Sequence, residues 1–168
     1  MKTLLLASIG EYAIEKGMKL LFPDVSQIKL AYITTAAKGA VNPDFLKHPT
    51  ELLKKEGYDF EEIDIEGKNA DELEKLLQNK DAVYVEGGNT FYLLRAVRES
   101  GFDKVIKKLI ERGVPYIGVS AGSYITCPTI ETSTWKKPGE EKNRFGVTDL
   151  TAMSLVPFLL KVHYEPEM

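Results

Sequence analysis

Residues 114–122 read VPYIGVSAG, and this stretch decides how the rest of the chain is understood. Residues 115–119 form a short apolar run of the kind that becomes a buried strand. The run ends in a tight turn with Ser120 at its apex, between Gly118 and Gly122. This is the pattern G-x-S-x-G, in which small flanking residues let the backbone bend sharply and present a serine hydroxyl at the carboxyl end of a sheet. The residue after the serine is expected to begin a helix. Its amide then faces the position where an oxyanion would develop, with the helix dipole favouring negative charge.

Working outward, short apolar runs alternate with helical patterns. Strands are expected over residues 2–9, 28–34, 60–65, 82–86 and 115–119. Helices are expected over residues 43–56, ending at Gly57, over 71–78 with a cap near Asn69, and over 90–99 and 102–112 with Gly101 between them. Strands separated by helices of this length imply βαβ units, hence an α/β fold with a mostly parallel, doubly wound sheet covered on both faces. No repeat, linker or low-complexity segment divides the chain, so residues 1–168 are read as one domain.

In such sheets ligands bind beyond the carboxyl ends of the strands. Two loops qualify, Val119 to Gly122 and Glu86-Gly87-Gly88-Asn89-Thr90. The paired glycines of the second allow close backbone approach, and Asn89 or Thr90 suits a helix N-cap. A phosphate cradle has less support, because neither a Walker lysine nor a G-x-G-x-x-G follows.

Composition narrows the function. With 43% hydrophobic and 28% charged residues, the 168-residue chain is an ordinary globular sequence. Its 22 basic residues are scattered among 25 acidic ones, which argues against a nucleic-acid surface. The N-terminal MKTLLLASIG has too short an apolar core for a signal peptide, and no run is long enough to cross a bilayer, so a cytoplasmic setting without membrane contact is expected. The one cysteine, Cys127, reads as a core residue, and no cluster has metal-ligand spacing; neither metal nor cofactor is expected.

A serine nucleophile needs a base, and the chain has two histidines. His48 falls in an early helical or loop segment and is expected far from Ser120. His163 follows the apolar run 155–160, is expected at the end of a late strand, and is the better general base.

The set EGGNTFYLLRAVRESG, YIGVSAG, TCPTI and L-V-P-F-x-L-x-V-H-Y resembles the peptidase E / cyanophycinase family of serine peptidases, over essentially the whole chain. The resemblance implies a flavodoxin-like, class I glutamine amidotransferase-like α/β sandwich. It also implies Ser120 as nucleophile, His163 as base, the amides of Gly88 and Ala121 as oxyanion hole, and Asn89 and Thr90 at the substrate. Small peptides are the implied substrates, Asp-X dipeptides among them. Trp135 stands where the aspartyl dipeptidases carry the third triad member. Glu140, Glu141 and Asp149 are candidate substitutes, with Glu141 and Asp149 leading and a main-chain carbonyl, water or a Ser–His dyad as alternatives. Family members also continue beyond the catalytic histidine, whereas this sequence ends five residues after it. A C-terminally short sheet is therefore expected, with self-association covering its edge. The competing reading is a non-catalytic binding or structural module of the same fold.

Overall fold

The structure is a computed structural model that describes residues 1–42, 44–135 and 144–166. Five strands, β1 (Leu4–Ala7), β2 (Lys29–Ile33), β3 (Asp59–Ile63), β4 (Ala82–Val85) and β5 (Tyr116–Val119), form one sheet in the order β1-β5-β4-β2-β3. Every pairing is parallel. The interior strands β4 and β5 are buried at every position, which accounts for their unbroken apolar sequences.

Alternation along the strands supplies two cores. On one face Ala31, Ile33, Val83, Val85 and Tyr116 pack against α4 (Ala70–Leu77), α5 (Thr90–Ser100) and α6 (Phe102–Glu111). On the other, Leu30, Tyr32, Tyr84 and Ile117 meet Ile14, Met18, Leu52 and Leu53. Ile14 comes from a wide π turn (Ala13–Gly17) that continues α1 (Gly10–Tyr12), Met18 from α2 (Met18–Leu21), and Leu52 and Leu53 from α3 (Lys47–Lys55). The sheet is therefore covered on both faces, as expected.

Local chemistry sets the helix ends. Asn69 Oδ1 accepts from the Glu72 backbone amide at 3.0 Å while Asn69 Nδ2 donates to Glu72 Oε1 at 3.0 Å, so the two side chains hold the cap at the start of α4. Gly57 (φ +83°) follows α3, and the Tyr58 amide returns to the Leu53 carbonyl at 3.0 Å.

Two expectations need correction. The first strand is shorter than residues 2–9, and residues 10–21 coil into the helical segment that covers β1, which the sequence reading left unassigned. Gly17 makes this possible, since a Cβ there would lie 2.7 Å from a Leu5 methyl. The late strand expected before His163 is not formed. Residues 152–155 instead run along residues 125–128, with main-chain bonds from Ala152 to Pro128, Met153 to Ile125, Ser154 to Cys127 and Leu155 to Thr126 at 2.7–3.1 Å. The backbone donors are satisfied by this strap, so no place in the sheet is needed. Buried Met153 and Val162 pin it down.

The tightest joint in the fold is between β4 and the turn after β5. A Cβ on Gly122 would sit 2.0 Å from the Val85 carbonyl oxygen. Because that neighbour is main chain of an interior strand, it has no room to yield. Gly122→Ala should lower stability by about 3 kcal/mol or more, read as a shift in the denaturant midpoint. Wild-type stability in this variant would mean that the joint is looser than described.

Candidate active site

Ser120 leaves β5 at φ +51° and ψ −107°, a conformation rarely adopted by a side-chain-bearing residue. The strain is held by main-chain bonds on either side. The Ser120 amide donates to Ala7 O of β1 at 2.9 Å, and its carbonyl accepts from the Ser123 and Tyr124 amides at 2.9 and 3.0 Å. The single helical turn α7 (Ala121–Tyr124) follows, starting at the expected residue. Gly118 is required at close quarters as well, since a Cβ there would lie 2.6 Å from Gly122 O.

The glycine loop after β4 abuts this elbow, because β4 and β5 are neighbours. A Cβ on Gly87 would be 3.0 Å from that of Ser120. Gly88 has φ +143° and passes so near Ala36 that a Cβ would lie 2.2 Å from its carbonyl oxygen. Asn89 caps α5 by accepting from the Tyr92 amide at 3.0 Å, and its own amide donates to Ala36 O at 2.9 Å. Asn89 is thus held structurally at the loop, and Thr90 is buried in the first turn of α5.

The strap delivers His163 to the serine. Its Nε2 lies 3.1 Å from Ser120 Oγ. His163 has φ +53°, and its amide reaches Ser8 Oγ at 3.4 Å, so the chain turns sharply just beyond buried Val162. The pair opens onto a cleft of about 380 Å³ that Gly87 and Gly88 also line.

Gly88 lines the cleft, while Ala121 is buried at the first position of α7, where a helix amide lacks an intrahelical acceptor. Asp149 Oδ1 accepts from the Thr151 amide at 2.9 Å; hydrogen bonds from the Thr151 amide and side chain, with a smaller contribution from Arg98 at 3.8 Å, hold its carboxyl below the usual range. Glu140 and Glu141 lie outside the described residues. Trp135 is exposed, and its carbonyl accepts from Lys161 at 2.9 Å. Cys127 is fully buried, with its thiol pKa pushed up by burial, as a core residue should be.

His48 departs from expectation. It lines the same cleft as Ser120 instead of lying far off, and its Nε2 is 3.0 Å from Glu11 Oε1. The cause is the helical segment over residues 10–21, which carries Glu11 across the mouth of the cleft toward α3.

Glu86, missed in the sequence, forms part of the cleft lining although only 3% exposed. Its Oε2 accepts from the Tyr32 hydroxyl at 2.8 Å and its Oε1 from the Gly87 amide at 2.8 Å. Burial pushes its pKa above the ordinary value, outweighing these hydrogen bonds, which favour the charged form. The available signal was a carboxylate terminating an otherwise apolar interior strand.

A raised folded-state pKa has a definite consequence for stability. The protonated carboxyl is the form the fold prefers, so its contribution is complete below the unfolded value near 4.5 and is lost as pH rises through the higher folded value. Glu86→Gln removes that titration, and the Tyr32 hydroxyl can turn to accept from the new amide. The stability of the variant relative to the parent should therefore grow as pH increases above about 4.5, measured by denaturant unfolding across pH. A constant difference would show that Glu86 titrates alike in both states.

The family model described as Peptidase family S51 matches residues 4–168. The chain is 34% identical over 136 residues to Peptidase E of Nostoc sp. (strain PCC 7120), covering 81% of this chain and 52% of that protein. It is 33% identical over 135 residues to an uncharacterized peptidase of Listeria monocytogenes, covering 80% of this chain and 65% of that one. The chain thus spans between half and two thirds of the length of these curated relatives. The crystal structure of a peptidase E candidate from Listeria monocytogenes EGD-e superposes with a TM-score of 0.82 at 31% identity, over 95% of this chain and 77% of that one. With the α/β sheet, the elbow and these matches together, the chain belongs to peptidase family S51.

Proposed function

We propose that the protein is a serine peptidase that hydrolyses small peptides, with Ser120 as nucleophile and His163 as general base. The observation that carries the reading is the 3.1 Å contact between Ser120 Oγ and His163 Nε2, made by a serine whose φ is +51°. In the proposed sequence Oγ attacks the scissile carbonyl carbon as Nε2 takes its proton. The carbonyl π electrons move to oxygen, and the amides of Gly88 and Ala121 stabilise the oxyanion. Collapse expels the amine, which takes the proton from the imidazolium. Water, deprotonated by His163, then attacks the acyl-enzyme and releases the acid and free Ser120.

Asp149 is engaged with Thr151 and Arg98, which favours Glu141 of the two leading candidates. The resemblance extends to Asp-X dipeptides as substrates, which belong in any panel beside apolar ones.

A fluorophosphonate probe should label the parent protein and fail to label Ser120→Ala. His163→Ala should lower kcat by about four orders of magnitude while leaving the melting temperature unchanged. Well-folded protein that neither takes the label nor cleaves any dipeptide would favour the non-catalytic module instead. Among the acids, Glu141→Gln should cost about a hundredfold or more in kcat, whereas Asp149→Asn should stay within about threefold of the parent.

A further inference from the structure

At the carboxyl edge of the sheet, β3, β2, β4 and β5 release their following loops in that spatial order. Asp64 follows β3, Thr35 lies just after β2, Gly88 just after β4, and Ser120 directly follows β5. Hydrogen bonds join the first three of these loops to one another. Thr35 Oγ1 donates to Asp64 Oδ1 at 2.8 Å and accepts from the Ile65 amide at 2.9 Å. The Asn89 amide in turn donates to the carbonyl of Ala36, the residue after Thr35, at 2.9 Å. We propose that Thr35, held by Asp64, is a positioning residue that fixes the Gly88 amide from across β2. The proposal rests on the serine-peptidase reading for its catalytic consequence, while the bracing itself is measured without catalysis.

The Gly88 amide belongs to the peptide unit that joins Gly87 to Gly88. Peptide units are planar, so this one turns only about the bonds at the Cα atoms on either side of it. The unit before it is tied through the Gly87 amide to Glu86 Oε1 at 2.8 Å. The unit after it is tied through the Asn89 amide to Ala36 O. The peptide that carries the oxyanion donor therefore hangs between two anchored neighbours. Glycine has the backbone freedom to let it swing, and the close approach of Gly88 to Ala36 limits that swing. The Gly88 amide is thus aimed only as well as the Ala36 carbonyl is held.

Ala36 sits in a short 3₁₀ turn (Thr35–Gly39), a geometry with weak hydrogen bonds of its own, so its position comes from outside the turn. On one side is Thr35, fully buried, with its hydroxyl engaged as donor and as acceptor. On the other, Lys38 pairs with Asp64 at 2.7 Å and with Glu66. Gly39 then lies so close to α5 that a Cβ there would be 2.7 Å from those of Asn89 and Tyr92. Lys38 is half exposed, and ion pairs of that kind contribute little. The Thr35 hydroxyl contributes more. Its bond to Asp64 is charge-assisted, and removing it leaves the amide of fully buried Ile65 without its acceptor. The weight of the brace therefore falls on Thr35.

The experiment compares amide hydrogen exchange and kinetics for the parent, Thr35→Val, Thr35→Ser, Asp64→Ala and Asp64→Asn. Valine keeps the shape of threonine without the hydroxyl, and serine keeps the hydroxyl. Asparagine keeps an oxygen that Thr35 can donate to, and alanine does not. In Thr35→Val and Asp64→Ala the Asn89 amide should exchange about tenfold faster or more, while the Ser123 amide at the elbow keeps its parental rate. The kcat on a dipeptide that the parent cleaves, and the rate of labelling by a fluorophosphonate, should fall about tenfold or more, with KM within about threefold of the parent. Thr35→Ser and Asp64→Asn should recover most of both. Because Asp64 is partly exposed, Asp64→Ala tests the same brace in a folded protein where Thr35→Val does not fold. Unchanged exchange at Asn89, or equal acceleration at Asn89 and Ser123, would overturn the proposal, as would full kcat in an active variant whose Asn89 amide has loosened. Loosening confined to Asn89, in a protein whose parent neither cleaves nor takes the label, would uphold the brace and overturn the serine-peptidase reading.

Discussion

The adjacency of β4 and β5, closed by Gly122 against the Val85 carbonyl, is the constraint on which the site depends. Parallel strands that lie side by side release their following loops at the same edge of the sheet. Here those loops are the glycine turn Gly87-Gly88 and the elbow at Ser120. The fit leaves no space for a Cβ at Gly122 or Gly118, nor at Gly88 against Ala36. Backbone approaches backbone, and the positive φ values of Ser120 and Gly88 follow from it. The strain is sustained because interior strands, buried on both faces, cannot shift to relieve it.

The base arrives by a different route. His163 is carried on an irregular strap whose donors are satisfied by residues 125–128, the segment just after α7. The strap therefore takes its position from the same elbow that positions the nucleophile. Two residues in left-handed conformations, Ser120 and His163, face each other across 3.1 Å, each fixed by main-chain contacts to β1 or to Ser8 just beyond it. Tying both partners to one strand end limits how far either can drift, which is what a proton transfer between them would require.

Beneath the loops, Glu86 joins the core to the cleft. One carboxyl oxygen is held by Tyr32 from the interior of the sheet and the other by the Gly87 amide at the start of the glycine turn. A buried carboxyl with both oxygens occupied is costly if it ionises and specific if it does not. It thus holds the peptide plane that joins Glu86 to Gly87, at the entry to the glycine turn.

By itself the sequence determined the five strands, four of the helices, both glycine loops and the serine at the elbow. These are local matters: apolar runs of strand length, Gly57 and Gly101 at helix ends, the Asn69 cap, and glycines where the chain must bend. Family membership was legible as well, because the EGGNT and G-x-SAG segments stand in a fixed order. Tertiary structure alone decided the strand order, the strap in place of a late strand, the entry of Glu11 and His48 into the cleft, and the burial of Glu86. Each of these depends on partners distant in the chain. Residues 152–155 pair with residues 125–128 and not with the sheet, and Glu86 finds Tyr32 only because β2 lies beside β4. Periodicity records which face of an element is apolar, but it does not record which element will cover that face.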